Sequence, residues 1–253
     1  MLYIAYIQGD KMRTLFAMHC ITKRNLNDNY YDEKLKRLGY DDTNLPEDQI
    51  PSERDLATGQ VDESLIEKGR FQAKLLAEQV KAVDFEVKRI YCADQKRCKE
   101  TAQIIADNIG YPCEIITDKR LNARGYGKIA DEAMDIDKLK HFWQHKDVIT
   151  NVETMELILY YLVAPEKIGA EPKSKFKARL NSFIQDPSIN FNDALVVAGS
   201  DVWKRIKKDN IFYAYKDEDK ADLRRGQLAQ VDFTREKEQK TRKDKDASAD
   251  MAR

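Results

Sequence analysis

The chain has no net charge: 44 lysines and arginines balance 44 aspartates and glutamates. With no field of one sign, nothing draws it to nucleic acid or to an anionic membrane surface. No apolar run approaches the roughly 18 residues that a membrane-spanning helix needs, so no membrane insertion is expected. The four cysteines (Cys20, Cys92, Cys98 and Cys113) have neither metal-type spacing nor the density of a disulfide framework. That predicts a reduced compartment, no metal and no cofactor. Histidine is scarcer still, with only three, His19, His141 and His145. The first residues already read as a strand, which leaves no room for a charged and then apolar leader. A cytoplasmic protein is expected, with a cytoskeletal or ciliary assembly as one setting.

What the chain does have is alternation. Leu2–Ile7 is a short apolar and aromatic run closed by Gly9, and it predicts a buried opening strand. From Asp10 to Glu63 the pattern loosens and predicts an elaborated insert. A helix is predicted from Ser64, where Ser64 and Glu67 form a capping box, with Lys68 and Arg70 on its outer face. Strands follow at Val87–Cys92 and Glu114–Ile116. Between them lies a helix through Ala102, Ile104, Ile105 and Ile109 that Gly110 ends. Helices are predicted over Met155–Val163 and Phe176–Ile184, and strands over Ala194–Ala198 and Leu228–Phe233. Such alternation specifies an α/β domain with a mostly parallel sheet between two helical layers. Residues 1–233 form that single domain. Residues 234–253 are a charged tail without enough apolar surface to fold alone.

Six segments in order make the reading more specific. Ser64-Leu65-Ile66-Glu67-Lys68-Gly69-Arg70 resembles a "LTEKGR" pattern, and Tyr91-Cys92-Ala93-Asp94-Gln95-Lys96-Arg97 resembles "YSSDLxR". Arg120-Leu121-Asn122-Ala123-Arg124-Gly125-Tyr126-Gly127 resembles "RLNERxYG". Val152-Glu153-Thr154 stands for Gly-Glu-Ser, and Leu195 to Val202 resembles "LVVSHGGV". Gly226-Gln227-Leu228 resembles the turn into a last strand. Together they resemble the histidine phosphatase (phosphoglycerate mutase-like) superfamily over most of residues 2–233. Members of that family open on a strand ending in Arg-His-Gly, whose histidine accepts phosphate. The resemblance implies that two arginines and a second histidine neutralise the transferred phosphate and that a glutamate protonates the leaving oxygen.

Placed on this chain, the opening strand puts Ile7 and Gln8 at the first arginine and the acceptor histidine. Ala123 replaces the acid and Gly199 the second histidine. None of these four can do the chemistry, so the resemblance implies a catalytically inactive member. The expected role is a scaffold or subunit of a larger protein assembly, contacted through Tyr30, Tyr31 and Tyr40 of the insert and through the tail. Two other readings stay open: a sensor with a residual anion pocket at Arg97 and Arg124, and an enzyme with rewired chemistry. Arg97 also has a plainer reading as an ion pair with Asp94 or Glu100. The three histidines, His19 in the insert and His141 and His145 in a predicted helix, and Cys92 are remote substitutes for the missing nucleophile.

Overall fold

A computed structural model of the chain describes residues 13–25, 27, 29–53, 56–131, 152–209, 211–213 and 223–232. Ile7, Gln8, His141, His145 and the tail beyond residue 232 lie outside these. The described residues build one six-stranded sheet. Its strands are β1 (Thr14–Met18), β2 (Arg89–Cys92), β3 (Glu114–Thr117), β4 (Ala194–Ala198), β5 (Ile211–Tyr213) and β6 (Leu228–Asp232). They lie in the order β3-β2-β4-β1-β6-β5. Strands β1 to β4 are mutually parallel, and β6 runs antiparallel to β1 and β5. The predicted α/β class and mostly parallel sheet therefore hold.

Two strands lie where none was expected, the three-residue β5 and, with more consequence, β1. The run Thr14-Leu15-Phe16-Ala17-Met18 falls inside the supposed insert, yet it is buried throughout and sits between β4 and β6. A five-residue run buried on both faces needs no alternation of polar and apolar side chains, and β4 has the same character. The insert is therefore not a separate elaboration of residues 10–63, because it contains a central strand.

The helices are α1 (Asp32–Arg37), α2 (Glu67–Lys81), α3 (Lys96–Ile109), α4 (Lys128–Asp131), α5 (Val152–Val163), α6 (Lys173–Ile184) and α7 (Ser200–Asp209). Helix α2 begins two residues later than the capping box predicts. Ile66 occupies the cap position without a side-chain bond, and the Glu67 N–H donates instead to Gln49 Oε1. Gly69 explains how closely α2 approaches the segment after β1, since a β-carbon there would lie 2.2 Å from the Ile21 carbonyl oxygen. Lys68, expected on the outer face, is buried. Its ammonium reaches Asp32 Oδ1 at 2.7 Å and Asn27 Oδ1 at 2.6 Å, which ties α1 to α2. Helix α3 ends at Gly110, whose φ of 87° is the left-handed cap that its sequence predicts. Helix α5 starts at Val152, so Glu153 and Thr154 lie within its first turn rather than before it.

The tyrosines proposed as contact residues divide. Tyr31 and Tyr40 are buried with Leu35 and Leu75 in a satellite core beneath α1. Only Tyr30 is exposed, edge-on to Tyr31 with the Arg224 guanidinium over its ring. Aromatics spaced among charges here cover α2 and offer no surface for a partner at positions 31 and 40.

Candidate functional site

The C-terminal ends of β1, β2 and β4 meet at one edge of the sheet, where parallel α/β architectures place their ligands. β1 delivers Met18, His19 and Cys20 to this edge. The His19 N–H donates to the Ala198 carbonyl at 3.0 Å, which fixes the histidine beside the end of β4. Cys20 is held in turn by its N–H to Thr101 Oγ1 on α3. The histidine that the fold brings to this edge is therefore His19. It follows the first central strand, with Met18 where the Arg-His-Gly pattern has arginine and Cys20 where it has glycine. Ile7 and Gln8, to which the sequence reading gave these positions, lie outside the described residues.

The state of His19 follows from its surroundings. Its Nδ1 lies 2.8 Å from the Cys20 carbonyl oxygen, an atom that can only accept, so Nδ1 carries the proton. Burial pushes the imidazole well below its usual range near 6.5, and the charges of Arg97 and Arg225 push it the same way. A neutral ring protonated at Nδ1 leaves the Nε2 lone pair free, which is the form a nucleophilic imidazole requires. The neighbouring thiols are the opposite case. Burial pushes Cys20 and Cys98 up to about 12 and raises Cys92, so all three remain unreactive thiols.

Arg97, at the start of α3, is almost wholly buried and donates to the Gly59 and Val61 carbonyls, each at 2.6 Å. It makes no ion pair with Asp94 or Glu100. Asp94 pairs with Lys99, and Glu100 receives the Leu65 N–H and lies 3.6 Å from Arg70. Burial lowers the Arg97 guanidinium below its usual value, and its Nε–H has no partner among the described residues. Arg225, in the turn before β6, is the second cation whose charge is felt at His19, Cys20 and Arg97. The sequence reading did not single it out.

Ala123 and Gly199 do converge. A β-carbon on Gly199 would meet the Ala123 methyl at 3.5 Å. The Ala123 backbone is fixed from several sides. Its N–H donates to Gln95 Oε1, and its carbonyl accepts from Gln60 at 3.3 Å and from Arg179 at 3.4 Å. Arg179 on α6 also caps the carbonyls of Lys119, Arg120 and Asn122 while pairing with Glu171. Arg124 turns away to Glu171 and Tyr161, at 2.6 Å from the Glu171 carbonyl and 2.5 Å from the Tyr161 hydroxyl. It is a brace between loop and helix, and it is not an anion ligand in this arrangement. Among the described residues no cluster of three or more histidine, cysteine or acidic side chains could hold a metal ion.

The profile of the histidine phosphatase superfamily (branch 1) matches residues 49–206, which is more than half of the chain. The chain belongs to that superfamily. The matched stretch begins after His19, so β1 and its histidine are assigned by the sheet and not by the match. The 2,3-bisphosphoglycerate-dependent phosphoglycerate mutases of Brucella ovis and Brucella canis are each 32% identical over 98 residues, 36% of this chain and 48% of the enzyme. The chain spans about half the length of these curated relatives. Among solved structures, the α-ribazole phosphatase of Shigella flexneri matches with a TM-score of 0.47 at 17% identity, covering 76% of each chain. A mycobacterial glucosyl-3-phosphoglycerate phosphatase matches equally, over 78% of this chain and 77% of its own.

Proposed function

We propose that this chain is a phosphomonoester-binding member of the histidine phosphatase superfamily in which His19 accepts the phosphoryl group and turnover is slow. The observation behind the reading is His19 itself, neutral, protonated at Nδ1 and seated at the end of β1 beside β4. Arg97 and Arg225 supply the positive charge around it. Slow turnover follows from what is missing. Met18 gives no guanidinium and Gly199 no imidazole for the transferred phosphate, while Ala123 has no proton for the leaving oxygen. Each lost stabilising donor costs about 10²–10³ in rate. The relatives named as phosphoglycerate mutases make phosphoglycerates reasonable first ligands.

The test is to incubate the protein with p-nitrophenyl phosphate or 2,3-bisphosphoglycerate and look for phosphohistidine by mass spectrometry under alkaline conditions. Phosphate on His19, absent in His19→Asn, is the expected result. No phosphohistidine together with no calorimetric binding of phosphate or vanadate would overturn it.

A second reading, a non-catalytic subunit of a larger protein assembly, draws on the same losses and on helix α5. There Leu159 and Val163, one turn apart, are 56% and 71% exposed. Exchange of both for serine should weaken assembly without changing the phosphate pocket. Unchanged co-purification of partners from the native source would remove the support that α5 gives.

A further inference from the structure

One ionisable group beside the site has no part in the scheme above. Asp201 lies in the first turn of α7, two residues after Gly199. Its carboxylate accepts the Tyr126 hydroxyl at 2.9 Å, and the backbone N–H of Arg124, the residue that follows Ala123, lies near enough to favour its anion. The Tyr126 ring in turn packs on Gly59, where a β-carbon would lie 2.7 Å from the ring. The Gly59 carbonyl is the one that receives Arg97. A chain of contacts thus runs from Arg97 through Gly59 and Tyr126 to Asp201, which follows the Gly199 that faces Ala123 by two residues.

We propose that Asp201 is the proton donor of this site, standing in for the carboxyl missing at position 123. The inference rests on His19 being the phosphoryl acceptor. As His19 Nε2 bonds to phosphorus, the bond from phosphorus to the ester oxygen breaks, and the Asp201 carboxyl gives that oxygen its proton. In the second half, water attacks the phosphohistidine, its proton returns to the Asp201 carboxylate, and inorganic phosphate leaves His19. The groups facing Asp201 are Arg124 and Lys204, which favour the anion, and Tyr126 and Tyr161. Burial outweighs them and raises the carboxyl above its ordinary value, in the direction an acid needs.

Two substrates separate this role from a structural clamp. Nitrophenolate leaves without protonation, whereas the alkoxide of glycerol 2-phosphate does not. Asp201→Asn should therefore lower turnover of glycerol 2-phosphate by about 100-fold or more and that of p-nitrophenyl phosphate by no more than about threefold. Adding Ala123→Glu to the Asp201→Asn variant should restore part of the loss, since the new carboxyl enters the space that faces Gly199. Equal losses on both substrates would identify a clamp and overturn the proposal, as would no loss on either. If the parent protein shows no turnover of p-nitrophenyl phosphate that His19→Asn abolishes, the acceptor reading itself fails and this proposal with it.

Discussion

His19→Asn should flatten one part of the protein's pH–stability profile. Asparagine keeps an N–H that can donate to the Cys20 carbonyl but cannot titrate. In the native protein the imidazole is held well below 6.5 by burial and by Arg97 and Arg225, while in the unfolded chain it returns to about that value. A depressed native value means that the unfolded chain binds the proton first as pH falls. The resulting stability is fully present above about pH 7 and is lost as pH drops towards the native value. Between pH 7.5 and 5.5, with the native imidazole still neutral, the loss is RT ln(11/1.1), about 1.4 kcal/mol. Urea unfolding at the two pH values, on the parent and on His19→Asn, measures it. Carboxylates elsewhere titrate in both proteins, so the difference between the two losses isolates His19. Equal losses in the parent and the variant would refute the neutral, buried imidazole, and with it the free Nε2 on which the phosphoryl-acceptor reading stands.

Arg97→Met should cost about 2–4 kcal/mol, because the Gly59 and Val61 carbonyls lose charged donors, and should abolish any rise in melting temperature on adding phosphate. A phosphate-induced rise that survives the exchange would show that Arg97 is only a brace. Gly69→Ala should cost more than about 2 kcal/mol in urea unfolding, since its methyl cannot coexist with the Ile21 carbonyl at 2.2 Å. A near-neutral result would mean that α2 is seated differently. Gly199→Ala, by contrast, meets only the Ala123 methyl at ordinary contact distance and should change stability by less than about 1 kcal/mol. A larger loss would mean that the end of β4 is more crowded than its contacts indicate.

The fold was legible in the sequence wherever a long helix followed a short apolar run. β2, β3, β4 and β6 fall within a residue or two of their predicted places, as does the Gly110 stop of α3. What misled was the competition between two apolar runs near the start. Leu2–Ile7 and Thr14–Met18 satisfy the same strand pattern, and no periodicity distinguishes a strand buried on both faces from another short apolar segment. Choosing the earlier run shifted the reading by eleven residues and turned His19 into an insert residue. The usable signal was chemical: of three histidines, one directly follows a five-residue apolar run. Tyr31, Tyr40 and Lys68 failed for a different reason. Their burial comes from α1 folding over α2, a tertiary contact that local composition does not encode. Ala123 and Gly199 were found because the segments carrying them match the family pattern residue by residue.

Recovering His19 changes what the remaining losses imply. Arg97 alone is weak support for a ligand, because its bonds to Gly59 and Val61 would hold the loop before α2 whether or not an anion ever arrives. His19 has no such alibi. Its backbone N–H, not its ring, joins β1 to β4, and its Nδ1 bond to Cys20 is one that asparagine could make. Nε2 has no hydrogen-bond partner among the described residues, in a side chain that is only 6% exposed. The Nε–H of Arg97 also has no partner among the described residues, and because it is buried, leaving it unsatisfied costs about 1–3 kcal/mol. An acceptor nitrogen and a cationic donor left open together are poor packing but a usable pair for a phosphate ester, whose phosphorus takes the nitrogen lone pair while its oxygens take the donor. A scaffold would gain nothing from keeping both open, so the pocket is where the function of this chain should be tested first.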